Sequence, residues 1–134
     1  MISHTSITAL ADFRFALRRF VSFSAEAARE AGVSPQQHQA LLALTAFPES
    51  VEVTVGMLAE RLCIRHHSAV GLVNRLAARH FVRRARSATD RRHVHLELTA
   101  YGESLIARLS ATHRDELKRV GPELRRLLRE LEAG

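Results

Sequence analysis

The sequence predicts a mainly α-helical single domain with a small β-hairpin, in the winged helix-turn-helix class with additional terminal helices. Three observations predict it. Amphipathic helical periods run through most of the 134 residues. Two short alternating segments, Phe81–Arg86 and His93–Leu98, lie back to back across a polar loop. Positive charge is concentrated around them: nine arginines and one acid, Asp90, fall between Arg61 and Arg92. That stretch is +8 in a chain of +6, which leaves −2 for the other 102 residues.

The first helix is predicted over Ser6–Glu30. Leu10, Phe13, Leu17, Phe20 and Val21 recur at spacings of three and four, and Gly32 stops it. Ser34-Pro35 reads as N-cap and first helical residue of a second helix, Pro35–Ala46, which Pro48 ends. Val51–Val53 is a short strand candidate. Thr54 reads as the N-cap of a third helix, Val55–Leu62, with Leu58, Ala59 and Leu62 inward. After a turn at Cys63–Arg65, a fourth helix is predicted over His66–Arg79. Its inward stripe is Ala69, Leu72, Val73 and Leu76, and its outward face is His67, Ser68, Gly71, Asn74, Arg75 and Ala78. The hairpin follows. Thr99 then caps a fifth helix, Ala100–Arg119; Gly121-Pro122 is expected to break it before a last helix, Glu123–Leu131.

The organisation is one domain, 1–134. A winged helix-turn-helix part at 34–99, which carries the basic block, sits between terminal helices at 1–33 and 100–134. The apolar stripes of those helices call for a partner surface, and the parsimonious one is a second copy, giving a two-fold homodimer. Composition excludes other classes. Apolar content of 46% suits a globular domain, and no run approaches the ~18 apolar residues of a membrane span. The start shows no basic-then-apolar signal pattern, so a cytoplasmic protein without membrane contact is expected. One cysteine, Cys63, excludes an internal disulfide framework and reads as a small buried core residue. The predominance of arginine over the single lysine fits either phosphate recognition or a GC-rich genome. No Gly-rich phosphate loop, carboxylate pair or Ser/His/Asp motif suggests an enzyme. His66-His67 and His93/His95 are too few per site for zinc, so no metal or cofactor is expected.

Charge on a helix-turn-helix with a hairpin is the footprint of a duplex-DNA binder. One α-helix fits the ~12 Å major groove. The fourth helix presents Arg65, His66, His67 and Ser68 at its start, with Gly71, Asn74 and Arg75 further along. Gly71 weakens the helix relative to alanine by about 1 kcal/mol, a cost that close backbone approach to DNA would explain. Arg84, Arg86, Arg91 and Arg92 surround the hairpin tip, where arginine can enter a minor groove. Asp90 is spaced to hold Arg92 in place.

The run Leu58-Ala59-Glu60-Arg61-Leu62, the helix Arg65–Leu76, Asp90-Arg91-Arg92 and Leu96-Glu97-Leu98-Thr99-Ala100-Tyr101-Gly102 together resemble the MarR family of bacterial winged-helix regulators. The likeness covers roughly residues 10 to 132. It implies a homodimer with interlocked terminal helices, bound to a palindromic operator as a repressor. Recognition helices would enter the major groove and wing arginines the minor groove. It also implies that Asp90 buttresses Arg92, that Ser68, Gly71 and Arg75 lie on the groove face, and that Thr54 meets a phosphate. Many members release DNA on binding a small aromatic effector near the junction of the dimer and DNA-binding parts. Phe13, Arg14, Phe15 and Phe20 are candidates for such a pocket, and the phenylalanines serve equally as dimer core. The sequence departs from the family pattern at His80, where glycine is usual, and at His66-His67, where small or hydroxylic residues are usual. Two rival readings remain: a dimeric protein-interaction module and a small-molecule-sequestering protein, each with only non-specific DNA binding.

Overall fold

The computed structural model describes all 134 residues. Five helices and one hairpin follow in the order α1 (His4–Glu30), α2 (Pro35–Ala46), α3 (Val55–Leu62), α4 (His66–Ala78), β1 (Val82–Arg86), β2 (Val94–Leu98) and α5 (Ala100–Ala133). Side-chain caps mark most helix starts. Ser3 caps α1, which starts two residues earlier than expected, and accepts from the Ser6 N–H at 3.1 Å. Ser34 and Gln37 form a reciprocal capping box. Thr54 accepts from Met57 N–H at 3.1 Å and Thr99 from Gly102 N–H at 3.0 Å.

The two strands pair antiparallel, Val82 opposite Leu98 and Arg86 opposite Val94. The expected strand at Val51–Val53 is a single bridge, Val53 to Leu96. Pro48 and the turn behind it leave only Val53 in reach of the hairpin, through Leu96 N–H to Val53 C=O at 2.7 Å.

One core joins the parts. Ala27 and Ala28 of α1, Leu41 and Leu44 of α2, Leu58 of α3, and Leu72, Val73 and Leu76 of α4 meet Phe81 and Leu96 of the hairpin and Leu105, Ile106 and Leu109 of α5. The far ends of α1 and α5 run on beyond it as an antiparallel pair, closed by buried Ala9 and Leu127. At 1.5 Å per residue α5 is about 51 Å long.

The predicted break at Gly121-Pro122 does not occur: α5 continues to Ala133 with Pro122 inside it. Proline removes its own N–H from the ladder, its ring crowds the carbonyl four residues back, and it also crowds the N–H and Cβ of the residue before it. Gly121 has no Cβ, and Leu127, 1% exposed, holds the far segment against α1. Cys63 also departs from expectation. It is exposed, because α3 ends there in a left-handed turn (φ 56°) that carries the side chain outward. His80, which stands where the family pattern has glycine, adopts a left-handed conformation with φ 64° and no change of fold. No helix is long and apolar enough to cross a membrane.

Candidate nucleic-acid interface

Helix α4 buries Ala69, Leu72, Val73 and Leu76 and leaves the opposite face bare. His67, Ser68, Gly71 and Arg75 share one open cleft of about 600 Å³ beside the start of α2, where Pro35, Gln36 and Gln39 form the far wall. The N-cap of α4 is Arg65, whose side chain makes no capping bond, so the first N–H groups of the helix are free. Uncapped N–H groups at a helix start attract phosphate. A Cβ built on Gly71 would meet only the guanidinium of Arg75, at 3.4 Å. Nothing inside the fold requires glycine there.

The hairpin tip is built by its polar residues. Ser87, buried at 5% exposure, accepts from the N–H groups of Thr89 and Asp90 at 3.2 and 3.3 Å. Asp90 then takes three bonds from Arg92: its backbone N–H at 3.0 Å, Nε at 3.1 Å and a terminal nitrogen at 3.1 Å. His93 lies 3.3 Å from the same carboxylate. The Arg92 side chain, and after it the Arg92 backbone N–H, hold the Asp90 carboxyl below the usual carboxylate value. The pair leaves the Arg92 side chain 88% exposed. Arg92 is thus both oriented and accessible, while Arg91 is exposed alongside it.

Other predicted residues have internal partners. Asn74 accepts from Arg84 at 2.6 Å, a tie between α4 and β1. Arg86 donates to the Arg91 carbonyl at 2.8 Å, bracing the tip. Thr54 is half-buried and occupied as an acceptor, with its hydroxyl proton uncommitted. His66 is exposed at the helix start.

Two arginines of the basic block turn away from this face. Arg83 is bound by Glu97 at 2.7 and 2.9 Å, which with His95 keeps the Glu97 carboxyl below its ordinary value. Arg79 donates to the Gly32 carbonyl at 2.6 Å and lies 4.9 Å over the Phe81 ring.

Sequence reasoning named Thr99, Tyr101 and Gly102 but missed how they fix the hairpin to α5. Thr99 Oγ1 donates to the His80 carbonyl at 2.5 Å while capping α5. Tyr101 stacks on Phe81 with centroids 4.9 Å apart. Gly102 lies so close to Phe81 that an added Cβ would be 2.2 Å from its carbonyl oxygen. The Thr-x-x-Gly spacing was visible; the contact across 21 residues was not.

The effector candidates do not gather in one place. Phe20 lines a cavity of about 570 Å³ between α1, α2 and α5, with His38, His113 and Arg114. It also lines a second cavity, of about 590 Å³, with Phe23 and Arg119. Phe13, Arg14 and Phe15 line neither. Phe13 is half-buried and Arg14 exposed; Phe15, 58% exposed, lies under the Arg19 guanidinium at 5.8 Å.

A two-helix unit with an exposed second helix, followed by a hairpin and framed by long terminal helices, defines a winged-helix protein. The model of the MarR family matches residues 31–93, which span α2 to the hairpin tip. Solved structures extend the likeness in fold to nearly the whole chain. A MarR family protein from Bacillus stearothermophilus is 22% identical with a TM-score of 0.76, covering 99% of this chain and 97% of that one. RV1404 from Mycobacterium tuberculosis is 21% identical with a TM-score of 0.77, covering 99% and 94%. A mutant of MepR from Staphylococcus aureus, bound to an oligodeoxyribonucleotide, is 19% identical with a TM-score of 0.71, covering 83% and 79%. No curated protein matches the chain. In its central segment by the family model, and in fold over nearly its whole length, the chain is similar to MarR family proteins.

Proposed function

We propose that this chain is a homodimeric transcriptional regulator that represses a palindromic operator in double-stranded DNA. The observation that carries the reading is the pairing of two uncovered elements. One is the α4 face of His67, Ser68, Gly71 and Arg75. The other is a wing tip on which Asp90 holds an accessible Arg92. The MepR mutant of similar fold was solved on an oligodeoxyribonucleotide. In this reading α4 enters the major groove, with Arg65, His66 and Asn74 at its edges. Arg91 and Arg92 enter the minor groove, and Thr54 donates to a phosphate.

Dimerisation is supported by apolar surface on the terminal helices. Ile7, Leu10, Leu17 and Val21 of α1 and Leu117 and Leu128 of α5 are each between 41% and 64% exposed. Burying the exposed remainder of several such side chains against a second copy would contribute about 1 kcal/mol or more each. In this reading a small aromatic effector would occupy the cavity at Phe20. Its wall carries Arg114, Lys118 and Arg125, which suit an anion with an apolar body.

The test is fluorescence anisotropy with the chain's own upstream intergenic DNA and with scrambled duplex, at several salt concentrations. A specificity ratio well above one with a steep salt slope is expected. Arg92→Ala should weaken specific binding by about 1–3 kcal/mol. Unchanged affinity in that variant, with fold and dimer intact, removes the wing from the interface. Equal weak binding to both duplexes returns the protein to a dimeric module with generic charge attraction.

A further inference from the structure

Three helices meet at a buried polar node that DNA contact does not use. His38 of α2 is 2% exposed, and its Nδ1 has no hydrogen-bond partner. Its ring lies 5.0 Å from that of His113 of α5. His113 Nδ1 is 2.7 Å from the Leu109 carbonyl, which can only accept, so Nδ1 carries the proton. His113 Nε2 is 2.8 Å from Ser24 Oγ of α1. Phe20 and Phe23 of α1 pack edge-on against the His113 ring.

We propose that the His38–His113 pair is a proton-sensitive latch at the joint between the DNA-binding part and the terminal helices, which protonation of His38 loosens.

The argument is one of partners. A neutral His38 leaves one lone pair buried and unmatched, which the fold tolerates. A protonated His38 carries two N–H donors, and the buried one has no acceptor where it lies. The charged groups around the cavity do not help. Arg114, Lys118 and Arg125 of α5 are all cationic, and α1 and α2 contribute only Phe20, Ser24, Gln39 and Leu42. The carboxylates of Glu26, Glu116 and Glu123 lie in the neighbouring cavity beyond Phe20 and Phe23. Each is held by an arginine, namely Arg29, Arg119 and Arg126. Burial first, and then the His113 ring, keep the His38 pKa below the ordinary histidine value.

A proton can therefore be accepted only if α2 moves relative to α5. Helix α2 packs on α3 and α4, so that movement displaces the recognition helix. Acid then works against DNA binding through this joint. The opposing effect of exposed histidines, which gain positive charge in acid, is common to wild type and a His38 variant. It cancels in their comparison.

The link to DNA rests on the proposed function, whereas the latch itself does not. Long-range proton–nitrogen NMR of the intact protein reads each ring's charge directly. On lowering pH from about 8 to about 5, spanning the reference histidine value, His38 should gain its proton below the ordinary histidine value while the fold persists. Backbone amides of α2 and of α5 around His113 should shift with the same midpoint. A His38 ring that stays neutral until global unfolding overturns the latch, as does one that titrates with those amides unmoved.

The second measurement compares duplex affinity of wild type and His38→Phe at pH 7.5 and 5.5. The wild type should lose about threefold or more relative to the variant, within the tenfold per pH unit that one linked proton allows. Equal pH responses overturn the coupling to DNA. Duplex binding by neither form at either pH refutes the DNA reading instead, and the ring titration then decides the latch. It also decides if His38→Phe fails to fold.

Discussion

Gly71→Ala separates the needs of the fold from those of the interface. Gly71 sits inside α4, five residues from its start, in ordinary helical backbone. Glycine in a helix interior costs about 1 kcal/mol relative to alanine. The added Cβ would meet nothing but the mobile end of Arg75, at 3.4 Å. The variant should therefore be more stable, by about 0.5–1 kcal/mol, or a rise in Tm of about 2–4 °C for a chain of this size. If α4 presses its backbone against a base edge at Gly71, the same methyl group stands in the contact. Affinity for the specific duplex should then fall about tenfold, corresponding to about 1.4 kcal/mol, while non-specific affinity at low salt should change little. Calorimetry and duplex anisotropy on one preparation read both quantities. A more stable protein with undiminished specific affinity would refute the close approach. A less stable protein would refute the claim that the fold has room.

Gly102→Ala should behave in the opposite way. Its Cβ would stand 2.2 Å from the Phe81 carbonyl oxygen, a backbone atom fixed by Thr99. The clash should outweigh the helix propensity gain and destabilise the protein by about 1–3 kcal/mol in denaturant titration. Leu127→Ala, at a side chain 1% exposed, should cost about 2–5 kcal/mol. Hydrogen exchange should quicken first at the outer ends of α1 and α5, and uniform loss of protection would show that the outer helix pair is not a separate unit. Asp90 has a lowered carboxyl pKa, so its contribution is present above the unfolded carboxylate value of about 3.9 and is lost as pH falls through the lower folded value. The wing should accordingly hold its shape from neutral pH to about pH 5, with Arg92 side-chain NMR signals unchanged. Signals that disperse before that point would show that Asp90 does not govern the tip.

The features legible in the sequence are those fixed over short separations. The caps at Ser34, Thr54 and Thr99 each bond a backbone N–H three residues on. The inward stripe of α4 and the existence of the two hairpin strands follow from periods of 3.6 and 2. Asp90 and Arg92 meet across two residues. What was not legible depends on distant segments. His113 and Ser24 are 89 residues apart in sequence, and no local pattern marks either as a partner of the other. Pro122 reads as a break because the rule for proline is local, whereas the packing of Leu127 on α1 is not. Cys63 reads as buried from its apolar neighbours, and a left-handed turn at a single residue reverses that.

The charge pattern illustrates the same limit and bears on affinity. Nine arginines between positions 61 and 92 make a +8 block in sequence. In the fold, Glu97 neutralises Arg83 from the opposite strand, and Arg79 is bound to the Gly32 carbonyl at the end of α1. Arg61 lies against the Phe47 ring, 5.6 Å from its centroid. The arginines left for phosphates or grooves are those of the helix start, the α4 face and the wing tip. Each phosphate contact contributes about −0.9 to the slope of log affinity against log salt. The slope per protomer should therefore follow that smaller set rather than the count of nine. Substituting Arg83 should leave it unchanged, whereas substituting Arg65 should make it shallower by about one. A change on removal of Arg83 equal to that on removal of Arg65 would mean that the whole basic block acts as an unstructured field, and that the folded arrangement of α4 and wing does not select which charges meet DNA.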